Sequence, residues 1–317
     1  MQQLKKMELP IQACPICSGP DISFVLNHND FPGVGIWFCP KCNHWFAYPE
    51  PDAIELDRHY QETYREKRGR YFGEEYYALM QRRAKAQILF IKGCLSKLGL
   101  PTRLKHWKAL DWGCGIGALV ASLHDEGVDA VGYDSDSEAI AVGQKRWNAN
   151  VQLGRCYDLS TLYKKFDLLL LSHIVEHLPN IQQTMHDLLN VLRPHGYVFI
   201  EVPNSSSEIF VKEMDTESHL HFFTKQALTL LLEAVGVQTL ASVSCGPPKL
   251  VPAEQKQTSD VPWLPQQFLE RGKVLLRSTG ERLGINAKQI HTIYDGFYDH
   301  YPSDNEGMWL RCIGRLE

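Results

Sequence analysis

The spacing of apolar residues divides the chain into two parts with different predicted structure. Over residues 73–98, apolar positions recur at steps of three and four, which predicts an amphipathic helix. From Lys108 onward, short apolar runs alternate with helical segments, and the run Phe166–Ser172 is apolar almost throughout. Strictly alternating strands and helices predict an α/β fold, a doubly wound and mostly parallel sheet with helices on both faces.

Two Cys-Pro-x-Cys turns near the N-terminus form a candidate metal site. Residues 22–26 and 35–39 between them predict a hairpin. Four thiolates suit the tetrahedral coordination of structural zinc, and a module this small needs a metal because it buries too little surface to fold alone. The alternatives are a redox Cys-x-x-Cys pair, although such a motif is not normally duplicated on a hairpin, and a chance spacing of cysteines. The predicted ligands are Cys14, Cys17, Cys39 and Cys42.

A glycine-rich segment after the first strand of the α/β part predicts a cofactor site. It reads Asp-Trp-Gly-Cys-Gly-Ile-Gly over residues 111–117, which differs from the Gly-x-Gly-x-x-Gly of dinucleotide-binding enzymes. Its glycines allow the backbone to approach a ligand closely. Asp134 ends the second predicted strand, where its carboxylate is placed to accept hydrogen bonds from two ribose hydroxyls.

These motifs and their order resemble the class I S-adenosylmethionine-dependent methyltransferases over about residues 104–243. The resemblance implies a Rossmann-like sheet of seven strands and S-adenosylmethionine as cofactor. His195 stands where the family has a glycine. A four-cysteine module ahead of such a core is similar to the sugar C-methyltransferases, and the stretch from His219 also resembles ubiquinone-type methyltransferases. Further matching segments are Val-Gly-Tyr-Asp-Ser-Asp at 131–136, Cys-Tyr-Asp-Leu at 156–159, Phe-Asp-Leu-Leu-Leu-Leu-Ser-His-Ile-Val-Glu-His-Leu at 166–178 and Leu-Arg-Pro-His-Gly at 192–196.

The resemblance also implies roles for individual residues. Asp111 would orient the glycine loop and approach the methionine amino group, Asp134 would hold the ribose, and Asp158 the adenine amino group. Ser172 and His173, after the fourth strand, would border the methyl group that is transferred. An aspartate at a strand end could instead only cap the following helix. The cofactor-binding candidates are Asp111, Gly113, Cys114, Gly115, Gly117, Asp134, Ser135, Asp158 and Ser172.

Two histidines ahead of a predicted helix are candidates for a catalytic base, together with His173. His219 and His221 are two residues apart in a segment that is expected to be extended, so both imidazoles should face one space. Thr224 should cap the helix that follows, and Ser137 the predicted helix 137–147. The sugar C-methyltransferases carry a similar stretch in which a histidine serves as base, although Ser218 replaces the acidic neighbour found there. The alternative is that these histidines only shape the pocket.

Three further polar residues are expected to have structural roles. His44 lies two residues past the last cysteine of the metal module and is predicted to be a surface histidine. Glu176 is expected to complement the dipole of the next helix. His177 is expected to pack and not to react.

Composition narrows the class of protein. Of 317 residues, 44% are apolar and 22% charged, as in soluble globular proteins, and the net charge of −4 argues against a general nucleic-acid binder. Nine cysteines are an odd number, and no signal peptide precedes them, so a disulfide framework is not expected. No apolar run approaches the ~18 residues that a membrane span needs. A cytoplasmic protein is expected.

One segment is strongly basic against this acidic background. Residues 58–105 carry twelve Lys and Arg and four Asp and Glu, a balance of +8, so the rest of the chain sums to −12. A solvated helix face would explain the charge. Alternatively, the basic residues meet a phosphate-bearing substrate, together with interleaved tyrosines. The basic residues concerned are Arg65, Lys67, Arg68 and Arg70.

The sequence thus predicts a zinc ribbon, a helical connector or lid, a cofactor-binding core and an insertion between its last two strands. The predicted function is S-adenosylmethionine-dependent methylation of a small or carrier-linked acceptor, such as a nucleotide sugar. The alternatives are an RNA methyltransferase that grips RNA with the ribbon and connector, and a non-catalytic cofactor-binding scaffold. The methylated atom and the oligomeric state, with a dimer as one option, stay open. The predicted segments are 1–49, 50–105, 106–245 with 306–317, and 246–305.

Overall fold

A computed structural model gives the structure of the chain. It describes residues 13–60, 73–100, 102–154, 159, 161–205, 216, 218–248 and 307–317. Three expectations lie outside these residues: the adenine contact of Asp158, the basic segment around Arg65, and nearly all of the 246–305 insertion. The four-segment division therefore stays a prediction.

A four-stranded antiparallel sheet contains the N-terminal cysteine module. Strands β1 (Ser23–Asn27) and β2 (Gly35–Cys39) form the predicted hairpin. Strand β3 (His44–Tyr48) extends the hairpin and pairs with β9 (His221–Phe222) from the second half of the chain. The module is therefore joined to the core by main-chain pairing across the protein.

A second sheet of seven strands confirms the predicted fold class. The strands follow the order β10-β11-β8-β7-β4-β5-β6. Strands β4 to β8 are parallel to one another, whereas β11 runs antiparallel between β10 and β8. The strands are β4 (Lys108–Trp112), β5 (Asp129–Asp134), β6 (Val151–Leu153), β7 (Phe166–Ser172), β8 (Leu192–Pro203), β10 (Val237–Pro248) and β11 (Gly307–Leu316).

Helices cover both faces of this sheet, which explains the apolar run in β7. Leu168 and Leu170 pack with α2, α3 and α4, whereas Leu169 and Leu171 pack with α5 and α6. Burying one such leucine contributes about 1.5–3 kcal/mol. Among the described residues, no helix has both the length and the apolar character that a membrane crossing requires. The helices are α1 (Ala53–Arg58), α2 (Glu74–Lys97), α3 (Ala118–Asp125), α4 (Ser137–Trp147), α5 (Ile181–Leu189) and α6 (Lys225–Ala234), with a 3-10 turn at Val175–His177.

Of the two predicted helix caps, one is confirmed and one is wrong. Thr224 caps α6 as expected, since its Oγ1 accepts a hydrogen bond from the Ala227 N–H at 3.2 Å. The cap of α4 is Asp136 and not Ser137, because its carboxylate accepts from the N–H of Glu138 at 3.0 Å. Asparagine, aspartate and serine cap helices about equally well, so the sequence left the choice between neighbours open.

Candidate active site and zinc centre

The glycine loop after β4 is shaped by positive φ angles. Gly113, Gly115 and Gly117 have φ of 76°, 53° and 71°. A Cβ on Gly113 would lie 2.0 Å from Ile174, and one on Gly117 would lie 2.6 Å from Val151, so packing requires glycine at both positions. At Gly115, the described residues other than its two chain neighbours place no atom within 4 Å of the Cβ position. The loop is therefore open at Gly115, where a ligand could approach the backbone.

Two carboxylates flank this opening. Asp134 accepts hydrogen bonds from the N–H groups of Gly115 at 2.7 Å and Asp136 at 2.8 Å. Asp111 is 3% exposed, and burial together with the negative charge of Asp134 raises its pKa to about 7, while Arg83 opposes the shift. A cationic ligand would relieve this repulsion. The carboxylates therefore fit S-adenosylmethionine, which carries a sulfonium and an ammonium group.

The other cofactor candidates have different surroundings. The side chain of Cys114 lies against β5, since a Cβ on Gly132 would be 2.7 Å from its sulfur, so only its backbone belongs to the loop opening. Ser135 is exposed directly after Asp134. Ser172 ends β7, one residue before His173.

Ser172 belongs to a buried polar network that the sequence did not predict. Glu201 on β8 is 0% exposed and accepts hydrogen bonds from Nε of Arg83 at 2.8 Å and Nε2 of Gln87 at 3.0 Å. Nε of Arg311 donates to its other carboxylate oxygen. Although burial raises the pKa of Glu201, the charges of Arg83 and Arg311 hold it well below its usual range. Arg83 and Gln87 also donate to Ser172 Oγ, at 3.2 and 2.8 Å.

A cluster of imidazoles surrounds Glu176 after β7. Nδ1 of His173 lies 3.1 Å from Glu176 Oε1, and Nε2 of His177 lies 4.0 Å from the same oxygen. The rings of His177 and His219 are 4.8 Å apart between centroids. Burial raises the pKa of Glu176, but the surrounding histidines outweigh it and lower the pKa to about 2.

This arrangement corrects the expected role of Glu176. Helix α5 begins at Ile181, so Glu176 lies in the 3-10 turn before it and not in its first turn. Its carboxylate is fully buried among histidines. The error arose because the irregular segment between β7 and α5 has no periodic pattern.

His219 and His221 do not share one space, contrary to the expectation from their spacing. His221 is 1% exposed, its Nε2 is hydrogen-bonded to the carbonyl of Leu178 at 3.0 Å, and burial lowers its pKa well below the usual value. His219 is partly exposed and contacts His177 instead. Strand β9 begins at His221, so the two-residue alternation of a strand does not extend back to His219.

His44 is also corrected, because it is buried and not a surface residue. Its exposure is 0%, and its ring stacks on those of Phe46, His221 and Phe223 at centroid distances of 5.6, 5.4 and 5.4 Å. Burial lowers its pKa. The pairing of β3 with β9 covers this position, which no local pattern could indicate.

The four predicted cysteine ligands lie together at the end of the hairpin. The sulfurs of Cys14 and Cys42 are 3.5 Å apart, those of Cys17 and Cys39 are 3.6 Å apart, and all four lie within 4.8 Å of one another. Four sulfurs about 2.3 Å from one zinc ion would be about 3.8 Å apart. Neighbouring thiols and burial raise the pKa of Cys42, a cost that a bound cation removes. The donor set therefore fits zinc.

Replacing Cys39 with serine should remove the metal and lower the folding yield without abolishing cofactor binding. We expect the cysteine module to need a metal to fold, whereas the glycine loop belongs to the other sheet. Elemental analysis of the wild type should find close to one zinc per chain. Cys94→Ser, at a buried cysteine of α2, should keep the zinc. Metal-free wild-type protein of unchanged stability would contradict the prediction.

The fold and the site together define the class. A seven-stranded sheet of this order, with an open glycine loop after its first strand and an acidic residue ending the second, is that of the class I S-adenosylmethionine-dependent methyltransferases. A family of proteins described as methyltransferase domains matches residues 57–242. The chain belongs to this family.

Individual relatives are distant. The ubiquinone biosynthesis O-methyltransferase of Glaesserella parasuis is 28% identical over 115 residues, which is 33% of this chain and 48% of that protein. The protein of the same name from Coxiella burnetii is 26% identical over 157 residues, 43% of this chain and 66% of its own length. The chain thus matches about half to two thirds of these relatives. The 1,6-didemethyltoxoflavin-N1-methyltransferase of Burkholderia thailandensis aligns with a TM-score of 0.48 at 15% identity, over 92% of this chain and 99% of its own.

Proposed function

We propose that the protein transfers the methyl group of S-adenosylmethionine to a small-molecule acceptor. The observation that carries this proposal is the opening at Gly115 beside the Asp111 and Asp134 carboxylates. Strands β4 and β7 are parallel neighbours, so the glycine loop and the histidine cluster follow the same sheet edge. Ligands of open α/β sheets bind at this edge.

The residues divide into those that hold the cofactor and those that meet the acceptor. Asp134 and the backbone at Gly115 would hold the ribose side of the cofactor, and Asp111 the methionine amino group. When bound, the cofactor supplies an activated methyl group on sulfur. The protein aligns the acceptor, excludes water and accepts the proton that the acceptor loses. His173 at the end of β7 would border the reacting group.

His219 is the proposed base. It is partly exposed, whereas His221 is buried with its Nε2 engaged, so only His219 of this pair combines access with a position in the cluster. The buried carboxylate of Glu176 is part of the same cluster and would stabilise an imidazolium. A neutral imidazole near pH 7 can accept a proton from a hydroxyl group.

A small molecule is the acceptor class that the comparisons support, since the relatives named above are ubiquinone biosynthesis O-methyltransferases. A carrier-linked acceptor such as a nucleotide sugar belongs to the same proposal. The net charge of −4 does not favour RNA. The intact glycine loop, with the Asp134 carboxylate bonded to it, argues against a non-catalytic cofactor-binding scaffold.

Release of S-adenosylhomocysteine tests the proposal directly. The protein is incubated with S-adenosylmethionine and panels of small phenols, nucleotide sugars and RNA. Turnover with a small molecule is expected. Turnover with RNA alone would overturn the acceptor class, and cofactor binding without turnover on any panel would indicate a scaffold.

Asp134→Ala should weaken S-adenosylmethionine binding by about 2–3 kcal/mol, the scale of a lost pair of charge-assisted hydrogen bonds. The same change removes the acceptor for the Gly115 N–H, so the loop loses its anchor as well. Calorimetry measures the affinity. Asp129→Ala, at the exposed start of the same strand, should bind normally. Unchanged affinity in the Asp134 variant would mean that the loop binds a different ligand.

A further inference from the structure

The histidine cluster contains the donor atoms of a second metal site. Glu176, His177 and His219 each offer one carboxylate oxygen or ring nitrogen, and these three atoms lie within 4.8 Å of one another. Donors about 2.1 Å from a metal are about 3–3.5 Å apart. Shifts of about 1 Å in the side chains would therefore bring all three onto one ion.

The carboxylate of Glu176 is buried, and no donor among the described residues is well aligned with it. It is 0% exposed, and neither of its oxygens accepts a well-aligned hydrogen bond, although His173 Nδ1 lies 3.1 Å from Oε1. A buried carboxylate without hydrogen bonds is costly unless a cation is bound to it. The surrounding imidazoles are neutral when they act as ligands. The positive charge that balances the Glu176 carboxylate would therefore come from the metal ion.

Two histidines of the cluster are held in place by hydrogen bonds to residues outside it. In metal sites, ligand histidines are oriented by bonds of the same kind. Nδ1 of His177 is hydrogen-bonded to the carbonyl of Ser218 at 3.0 Å, and Nε2 of the same ring is the nitrogen that lies near Glu176. Such a bond to a backbone carbonyl selects the tautomer in which the other ring nitrogen carries the lone pair that binds a metal. The segment that carries His219 is held by His28, whose Nε2 is hydrogen-bonded to the His219 carbonyl at 3.0 Å.

We propose that Glu176, His177 and His219 bind a divalent cation. Two imidazoles and one carboxylate suit Mn²⁺, Fe²⁺, Co²⁺ or Zn²⁺, and three protein ligands leave positions open. The four-cysteine centre is a separate site, because thiolates select zinc and fill all of its positions. The ion would lie beside the sheet edge where the methyl group is delivered.

The role of this ion rests on the proposed function. An acceptor hydroxyl bound at an open position has a lowered pKa and loses its proton to solvent. The oxygen then forms the bond to the methyl carbon, while the carbon–sulfur bond breaks with its electron pair left on sulfur. The proposal therefore selects an oxygen acceptor. In it, His219 binds the ion, and this role replaces the role of base that His219 has in a site without metal.

Binding of Mn²⁺ to the zinc-replete full-length protein tests the site, measured by electron paramagnetic resonance. The wild type should bind one Mn²⁺ per chain. Glu176→Gln and His219→Asn should weaken that binding by at least about 100-fold, because each removes one of three ligands. His186→Asn, at an exposed position of α5, should bind normally. His219 is only partly buried, so its variant is informative even if Glu176→Gln fails to fold.

Each result has a distinct meaning. Mn²⁺ binding that is equal in the wild type and His219→Asn, or a wild type that binds no Mn²⁺, overturns the metal site and leaves His219 as the base. The Asp134→Ala variant should still bind Mn²⁺, because Asp134 lies in the cofactor site and is not one of the three proposed ligands. Mn²⁺ binding in a protein that binds no S-adenosylmethionine would confirm the ion site and refute the proposed function.

Discussion

Replacing His219 with asparagine should lower the rate of methyl transfer by ~10²–10⁴-fold while S-adenosylmethionine binds as in the wild type. The imidazole lies beside Glu176 and His177, where the acceptor would meet the methyl group, and not in the glycine loop. Asparagine keeps the polarity and approximate size of the side chain but accepts no proton at neutral pH. The rate is measured as release of S-adenosylhomocysteine in a single turnover, and cofactor affinity by calorimetry.

His195→Asn provides the matched control. His195 is exposed in β8 with a φ of 62°, a conformation that asparagine tolerates, so turnover should not change. A His219 variant with near wild-type turnover would assign this residue to structure. The rate loss is expected whether His219 acts as a base or as a metal ligand, and Mn²⁺ binding separates these two roles.

Glu201→Gln should lower the free energy of unfolding by about 3–5 kcal/mol. The carboxylate is fully buried and paired with Arg83 and Arg311, and the amide would remove the negative charge that pairs with both guanidinium groups. The effect should be large because Arg311 is 1% exposed and water does not reach it. Urea unfolding, followed by circular dichroism, measures the loss.

The same carboxylate predicts how stability depends on pH. The pKa of Glu201 is well below its unfolded value, so its contribution is present above the unfolded pKa and is lost as the pH falls through the folded pKa. The Gln variant should lack this acid-sensitive component. Glu126→Gln, which breaks the exposed pair with Lys92, should cost under about 1 kcal/mol. A similarly small loss of free energy of unfolding in the Glu201 variant would mean that the buried network does not stabilise the fold.

Much of the fold was predictable because its signals are local. The uninterrupted apolar run in β7 predicts a strand that is buried on both faces, and α2 was predicted to within about two residues from its period alone. The glycine loop was predictable for the same reason, since Gly113 and Gly117 are required by backbone conformation and close packing within a short segment. The four cysteines were predicted to lie together from the spacing of the two Cys-Pro-x-Cys turns alone.

The buried network around Glu201 was not predicted, although a signal was present. A glutamate inside the apolar strand β8 and an arginine inside β11 are unusual enough to suggest a partner for each. Their pairing depends on register, since Arg311 lies opposite Glu201 only in the antiparallel alignment of these strands. The contribution of Arg83 comes from α2, far away in the sequence.

The sequence by itself determined the alternation of strands and helices in the α/β part, the cofactor loop and the two Cys-Pro-x-Cys turns, because each depends on neighbours within a few residues. Only the tertiary structure decided which histidines meet. The pairing of β3 with β9 buries His44 against His221, and His28 holds the backbone of His219 across 191 positions of the chain. Such contacts follow from how two sheets are joined, and no local pattern of polar and apolar residues encodes that choice.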